Sequence, residues 1–268
     1  MFSAMHGRHD VVRIFFEGYK RLYKDFDISL HLTVSTDIDA LFCKGLGVEY
    51  NVHPNMPLSD KHNSGISACL SDQSWDHLLI MGSDNVLPTK GLELLLSSGR
   101  RHVGFSGGVF FDLATQRAKA FDYNIELGWD AVWGCGRLLS RELVEYVFDT
   151  QEVLTNIGDG DYPKRHKMVV PVEEANYLVA TKRWERRGGM IKGFWPSGLS
   201  KGLDMGLERK LTRHGAAPFA IGGIHCFDFK SSDNLWKYDD REGSPCGFEF
   251  FRPLLSEGEL DLIDKMKK

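Results

Sequence analysis

Short apolar runs alternate with longer amphipathic stretches through the first hundred residues. Met1 to Met5 is a brief run that predicts a first strand. The turn His6-Gly7-Arg8-His9 then leads into a segment with Val11, Ile14, Phe15, Tyr19 and Leu22 on one side, a helix that Asp10 can cap. Leu30 to Thr36 alternates and is β-branched, which predicts a second strand ending at Asp37-Ile38-Asp39, with a helix from Ile38 to Lys44. Val48 to Val52 is a third strand, and Lys61-His62-Asn63-Ser64-Gly65 opens a short helix with Ile66, Cys69 and Leu70 as its apolar positions. Leu78 to Met81 is too short for an ordinary helix and is closed by Gly82-Ser83, so it reads as a buried parallel strand followed at once by Asp84. With a further helix starting at Gly91, this alternation describes a doubly wound α/β unit.

The second half is less regular. His102 to Asp112 reads as a strand or hairpin arm that Ala118 to Ile125 pairs with, and Trp133 to Leu139 as a glycine-broken strand before a helix from Arg141 to Phe148 capped by Ser140. Between Thr150 and Ser200 the clearest pattern is a helix beginning at Pro171-Val172-Glu173-Glu174 and ended by Gly188-Gly189. A helix over Gly202 to Leu211, stopped by Gly215, precedes a late strand, Phe219 to Lys230. The expected organisation is one domain over 1–268. Its halves are 1–100 and 101–230, the second with an insertion at about 150–200, and a tail follows at 231–268.

Composition adds few constraints. With 42% hydrophobic and 26% charged residues the chain can bury one good core. It has no apolar stretch near the roughly 18 to 20 residues that span a bilayer, and its first residues lack a signal peptide's basic and apolar regions, so a cytoplasmic protein without membrane insertion is expected. The five cysteines are far apart and form no CxxC pair, which predicts buried thiols rather than a disulfide framework or zinc cluster. Net charge is −4, but 161–214 carries a clear excess of Lys and Arg, including Lys182, Arg183, Arg186 and Arg187. Those four equally fit a solvated helix end whose charges match the helix dipole.

A carboxylate directly after a parallel strand is where an open α/β sheet binds ligands, and it can hold a divalent cation on a phosphate oxygen; Asp84-Asn85 is equally readable as a polar turn. The order of a Lys-x-Asn-x-Gly helix (Lys61, Asn63, Gly65), a strand, Gly82-Ser83-Asp84 and Pro88 resembles the GT-A glycosyltransferases and their "DxD" motif. Gly82 stands where the first acid of that motif would be. The resemblance extends in order to about residue 230 and implies a GT-A-like doubly wound mixed sheet with a basic helical insertion. Residues 1–100 would then be the nucleotide-sugar-binding half and 101–230 the acceptor half.

The resemblance also implies roles. Ala4, His6, Arg8, Asp37, Lys61, Asn63, Gly82 and Ser83 would meet the donor, although Asp37 fits a helix cap as well. Asp84 and His225 would hold Mn2+ or Mg2+, with a hydrogen-bonded, half-buried ring as the other reading of His225. Trp129, Trp133, Gly134, Arg183, Arg186 and Arg187 would form the acceptor side, where the tryptophans are readable equally as core. Asp204, like the acid of the family's "xED" segment, would be the catalytic base, with Glu173 and Glu174 in reserve.

The function expected is metal-dependent transfer of a sugar from a nucleotide sugar, with UDP the leading nucleotide, to an acceptor hydroxyl. The basic, aromatic-interleaved stretch makes DNA one acceptor, through a 5-hydroxymethylpyrimidine as in phage-type enzymes, and a glycan or lipid-linked sugar the other. A nucleotidyltransferase and a non-catalytic nucleic-acid-binding module are the alternatives.

Overall fold

The computed structural model describes residues 1–72, 74–122, 132–150, 152–156, 167–171, 190–191, 193–195, 203–231, 238–239 and 243–267. In 152–156, 167–171 and 190–191, and at residues 204, 205 and 209, only the backbone course is described. Strands β1 (Phe2–Ala4), β2 (His31–Val34), β3 (Glu49–Val52) and β4 (His77–Ile80) alternate with helices α1 (His9–Asp25), α2 (Asp37–Leu46) and α3 (Leu58–Ser71). Next come β5 (Asn85–Val86), α4 (Thr89–Ser97), β6 (His102–Asp112), β7 (Arg117–Asp122), β8 (Arg137–Ser140) and α5 (Arg141–Asp149). The small strands β9 (Glu152–Asn156), β10 (Lys167–Pro171) and β11 (Met190–Ile191) precede α6 (Leu203–Arg213), β12 (Phe219–Lys230), β13 (Ser244–Cys246) and α7 (Glu257–Lys265).

The main sheet runs β13-β7-β6-β8-β4-β1-β2-β3, with β12 joined to both β5 and β6. β4, β1, β2 and β3 are mutually parallel; β8 enters antiparallel between β4 and β6. The fold is therefore the expected mixed, mainly α/β sheet. Strand alternation sends side chains to both faces. Leu79 and Met81 join Leu32 and Val34 in a core under α1 and α2, whereas Leu78, Ile80 and Phe2 join Ile66 of α3 and Leu143 and Val147 of α5. Each such fully buried large side chain contributes about 1.5–3 kcal/mol. Gly65 makes the close approach of α3 feasible, since a Cβ there would lie 2.1 Å from Thr33 Oγ1 and 2.2 Å from the Phe2 ring.

Several expectations are corrected. α1 begins at His9, and Arg8, not Asp10, precedes it. Pro171 ends strand β10 instead of opening a helix, and the described parts of the 150–200 insertion form a three-stranded antiparallel sheet, β10-β9-β11. The helix expected after Pro171 lies outside the described residues. Cys135 and Cys226 are joined as a disulfide, leaving Cys43, Cys69 and Cys246 as thiols. Among the described residues no helix is long and apolar enough to cross a membrane.

The described part of the segment expected as a tail packs on the rest of the fold. β13 adds to the edge of β7, and α7 packs on α1. Ser256 and Glu259 form a capping box at the start of α7, and the fully buried Glu259 carboxylate takes two bonds of 3.0 Å from Arg21. Arg21 also reaches Leu87 O and Thr89 Oγ1, locking α1 to the β5–α4 connection. Removing one partner of such a pair leaves an uncompensated charge, so Glu259→Ala should lower unfolding stability by about 3 kcal/mol or more in chemical denaturation. An effect near that of an exposed substitution would show that the pair does not anchor α7.

Candidate active site

β1 lies between β2, which leads the chain outward to β3, and β4, where the chain returns on the other side. Strand order reverses between β1 and β4, and open α/β sheets bind ligands in the crevice beyond the carboxyl ends of the strands at such a point. The connections leaving these two strands, Met5 to Arg8 and Met81 to Asp84, meet there.

Gly7 and Arg8 both adopt left-handed backbone, with φ of 59° and 51°. For a residue with a side chain that conformation costs roughly 1–2 kcal/mol, and three contacts hold it. The Gly7 N–H donates to Asp39 Oδ1 at 3.0 Å, and the Arg8 guanidinium donates to Asp84 Oδ2 at 2.9 Å and to Ser83 Oγ at 3.4 Å. On the β4 side, Asn85 Oδ1 accepts from the Gly82 N–H at 2.7 Å, and a Cβ on Gly82 would lie 2.3 Å from that oxygen. A side chain at position 82 would therefore displace the Asn85 amide from that bond.

β12 closes the crevice. The Phe229 N–H donates to the Asp84 carbonyl at 2.8 Å, which sets the buried Asp228–Lys230 pair, 2.6 Å apart, beside Asp84. Burial pushes the Asp84 carboxyl up, but Lys230 and then Arg8 outweigh it and hold its pKa below the usual value, so Asp84 is ionised. Beneath the β1–α1 loop, buried Lys61 donates to the Met5 carbonyl and to Asn55 Oδ1. Burial, reinforced by Arg8 and opposed by Asp39, lowers its pKa to about 8. Asp39 is almost completely buried; Oδ1 is bonded to His9 Nε2 at 2.9 Å, while Oδ2 has no hydrogen bond and lies 3.7 Å from His6 Nδ1.

No family model matches this chain, and no curated protein matches it. Solved structures do align with it, among them the following three. A mannosyltransferase from Pyrobaculum calidifontis, in complex with GDP-Man and Mn2+, is 9% identical with a TM-score of 0.46 over 87% of this chain. This chain spans 57% of that protein's length. The inositol-1-phosphate CTP transferase from T. maritima is 13% identical with a TM-score of 0.36, covering 100% of this chain and 95% of that one. A 4-diphosphocytidyl-2C-methyl-D-erythritol synthase from Anaerococcus prevotii is 10% identical with a TM-score of 0.34, covering 76% of this chain and 94% of that one. Likenesses this distant assign no chemistry, and the site is argued from its own residues.

Of the residues singled out in the sequence, Arg8, Gly82, Ser83 and Asp84 come together, with Lys61 beneath them. Ala4 ends β1, and the half-exposed His6 stands over Asp39. Asp37 is the exposed first residue of α2, capped by Thr36, whose Oγ1 accepts from the Asp39 N–H; the carboxylate turned toward the loop is Asp39. Asn63 faces elsewhere: its amide donates to Trp195 O and accepts from the Phe194 and Trp195 N–H groups, docking that segment onto α3. Trp133 is core, edge-on to Phe110 and Phe121, so it offers no platform to an acceptor; its neighbour Gly134 is half-buried.

His225 is the largest displacement. Its Nε2 pairs with Gly222 O and its ring leans on Phe105, and it lies four residues, roughly 13 Å of strand, from Phe229. β12 brings Asp228 and Lys230 to Asp84 instead. Trp129, Glu173, Glu174, Arg183, Arg186 and Arg187 lie outside the described residues, and Asp204 is placed only by its backbone, in the first turn of α6. Among the described residues no three His, Cys, Asp or Glu side chains converge as metal ligands. A hollow of about 880 Å³ along α3 and α5, lined in part by His53, Asp60, Ser67 and Glu145, includes none of Arg8, Asp39, Asp84 or Lys230. The converging charges, not that hollow, mark the candidate site.

Asp39 was legible only indirectly. The Thr36-x-x-Asp39 spacing is a capping signal that places residue 39 on the inner side of the first turn. Burial pushes its carboxyl up, but bonds from His9, Thr36 and Gly7 prevail and lower its pKa. A depressed folded-state pKa contributes stability that is present above the unfolded value of about 3.9 and is lost as pH falls through the folded value. Asp39→Asn should therefore lower stability at pH 7, and its loss of stability below about pH 4 should be shallower than in the parent. Parallel acid limbs in pH-dependent urea melts would remove Asp39 from the charge network.

Proposed function

We propose that this chain is a nucleotide-sugar-dependent glycosyltransferase whose donor diphosphate lies in the crevice between β1 and β4. The observation that carries the reading is the meeting of Arg8, Asp84 and Lys230 at the point where strand order reverses. A guanidinium fork suits phosphate oxygens, and it enters the crevice from the first loop, as the GT-A resemblance implies for a donor contact.

The same resemblance implies Mn2+ or Mg2+, and Asp84 fits that group. The Asp84 carboxylate is ionised, its side chain 15% exposed, and it is already bonded through Oδ2 to a cation, the Arg8 guanidinium. Mg2+-type sites need only one or two carboxylates when substrate phosphates complete them. Asp84 would hold the ion without His225, and the ion would neutralise charge on the departing diphosphate. Lys230 keeps Asp84 ionised, and Asp39, through the Gly7 N–H, holds the loop that aims Arg8. Asp204, at the start of α6, is the proposed base for the acceptor hydroxyl, with Glu173 and Glu174 in reserve.

Nucleotidyl transfer could use the same crevice but would release pyrophosphate rather than a nucleoside diphosphate. A thermal-shift screen of UDP- and GDP-sugars with and without Mn2+ tests the donor directly. A ligand at 100 times its Kd stabilises by about 2.7 kcal/mol. Asp84→Asn should remain folded and lose the Mn2+-dependent part of that stabilisation; if it keeps the full shift, Asp84 is not a metal ligand.

The acceptor reading rests on the basic, aromatic-interleaved stretch Lys182 to Lys201. Phe194 and Trp195 of that stretch are buried in the core and cannot stack a base, so the Lys and Arg charge, which suits a phosphate backbone, is what supports DNA bearing 5-hydroxymethylpyrimidines, with a glycan as the equal alternative. Binding to such DNA should weaken steeply with salt, and less steeply after Arg186 and Arg187 are changed to Ala. Absence of salt-dependent binding together with absence of sugar transfer to hydroxymethylcytosine DNA would direct the search to glycans.

A further inference from the structure

Among the described residues, three cations border the crevice, Arg8, Lys61 and Lys230, and they are held very differently. Lys61 is 1% exposed and anchored to Met5 O and Asn55; Lys230 is 5% exposed and paired with buried Asp228. The Arg8 side chain is 20% exposed, has one short bond, to Asp84 Oδ2, and one long one, to Ser83 Oγ. It projects from a backbone pair in left-handed conformation that the contacts of Gly7 and Arg8 keep in place. Of the three, Arg8 can exchange its partner with the least loss of buried bonding.

The charges require such an exchange. Among the described residues Arg8, Lys61 and Lys230 are balanced by Asp39, Asp84 and Asp228, which leaves no surplus positive charge among them for a diphosphate. A diphosphate entering alone would face two carboxylates whose cations are engaged. One that enters with a divalent cation can give that cation to Asp84 and take the released guanidinium onto its own oxygens, where a bidentate fork is at its strongest.

We propose that Arg8 is a competitor, built into the first loop, for the cation site on Asp84. It occupies the carboxylate while nucleotide is absent and yields it when a divalent cation and a diphosphate enter together. The proposal rests on the donor reading above and adds a coupling to it: the cation binds weakly by itself and strongly with nucleotide.

The test uses Mn2+ alone, followed by electron paramagnetic resonance of the free ion or by calorimetry, on the full chain and on Arg8→Ala and Arg8→Gly. Glycine adopts the Arg8 backbone conformation without a side-chain penalty, so Arg8→Gly guards against a folding defect. In both variants Mn2+ affinity without nucleotide should rise about tenfold to a hundredfold, the range of one charge-assisted bond. With UDP or GDP present, nucleotide affinity should fall, and the gain in Mn2+ affinity that nucleotide confers on the parent should shrink. Adding Asp84→Asn to Arg8→Gly should abolish the rise. Unchanged or weaker Mn2+ binding in both single variants overturns the proposal, as does a rise that survives Asp84→Asn. If neither UDP nor GDP binds the parent at any Mn2+ concentration, the donor reading fails, while the Mn2+ titrations still decide whether Arg8 and the cation compete.

Discussion

The ion pair between Arg8 and Asp84 joins the two connections that leave the sheet where its strand order reverses. Neither connection is regular structure, and each is shaped by a local constraint. One is the left-handed pair at Gly7 and Arg8; the other is the Gly82–Asn85 turn, closed by the Gly82 N–H to Asn85 Oδ1 bond. The pair is worth about 1.5–3 kcal/mol as a charge-assisted hydrogen bond, comparable to the backbone cost at Arg8. Without it the loop would lose the contact that offsets its conformation, and the crevice would lose its border on the β1 side.

What surrounds the pair keeps it in place. Asp39 fixes the Gly7 N–H from below, Lys61 fixes the Met5 carbonyl, and β12 fixes the Asp84 carbonyl through the Phe229 N–H. A nearly balanced set of buried charges is stable only while each member has its partner, because an isolated charge in such a place is far more costly than a paired one. Such a site is poised rather than inert, since bringing in a ligand of either sign forces the partners to rearrange.

The C-terminal segment supports this arrangement from a distance. Glu259 holds Arg21 of α1, Arg21 holds the Leu87 carbonyl just beyond β5, and α1 begins directly after Arg8. The helix that carries the loop and the connection that carries Asp84 are therefore braced against one residue contributed from near the end of the chain. A second brace, Asn63 with the Phe194-Trp195 backbone, ties the insertion to α3 on the opposite face.

Local pattern determined the first half of the fold, because its strands and helices are marked by periodicity and separated by turn residues, and because an acid directly after a buried parallel strand can only emerge at the strand's carboxyl end. Asp84 was legible on that ground, and Arg8 through the resemblance of its loop to the GT-A first loop. Tertiary structure decided their pairing, that Asp39 and not Asp37 faces the first loop, and that Asp228 and Lys230 rather than His225 lie beside Asp84. Each depends on pairing between segments far apart in sequence: β12 sets Phe229 against Asp84 and leaves His225 four residues away, and α2 turns its third residue, not its first, toward the first loop. It also decided that Trp133 is core, that Asn63 serves the 193–195 segment, and that 243–267 is not a tail, since burial is set by what arrives from elsewhere in the chain and leaves no mark in the sequence around the residue it covers.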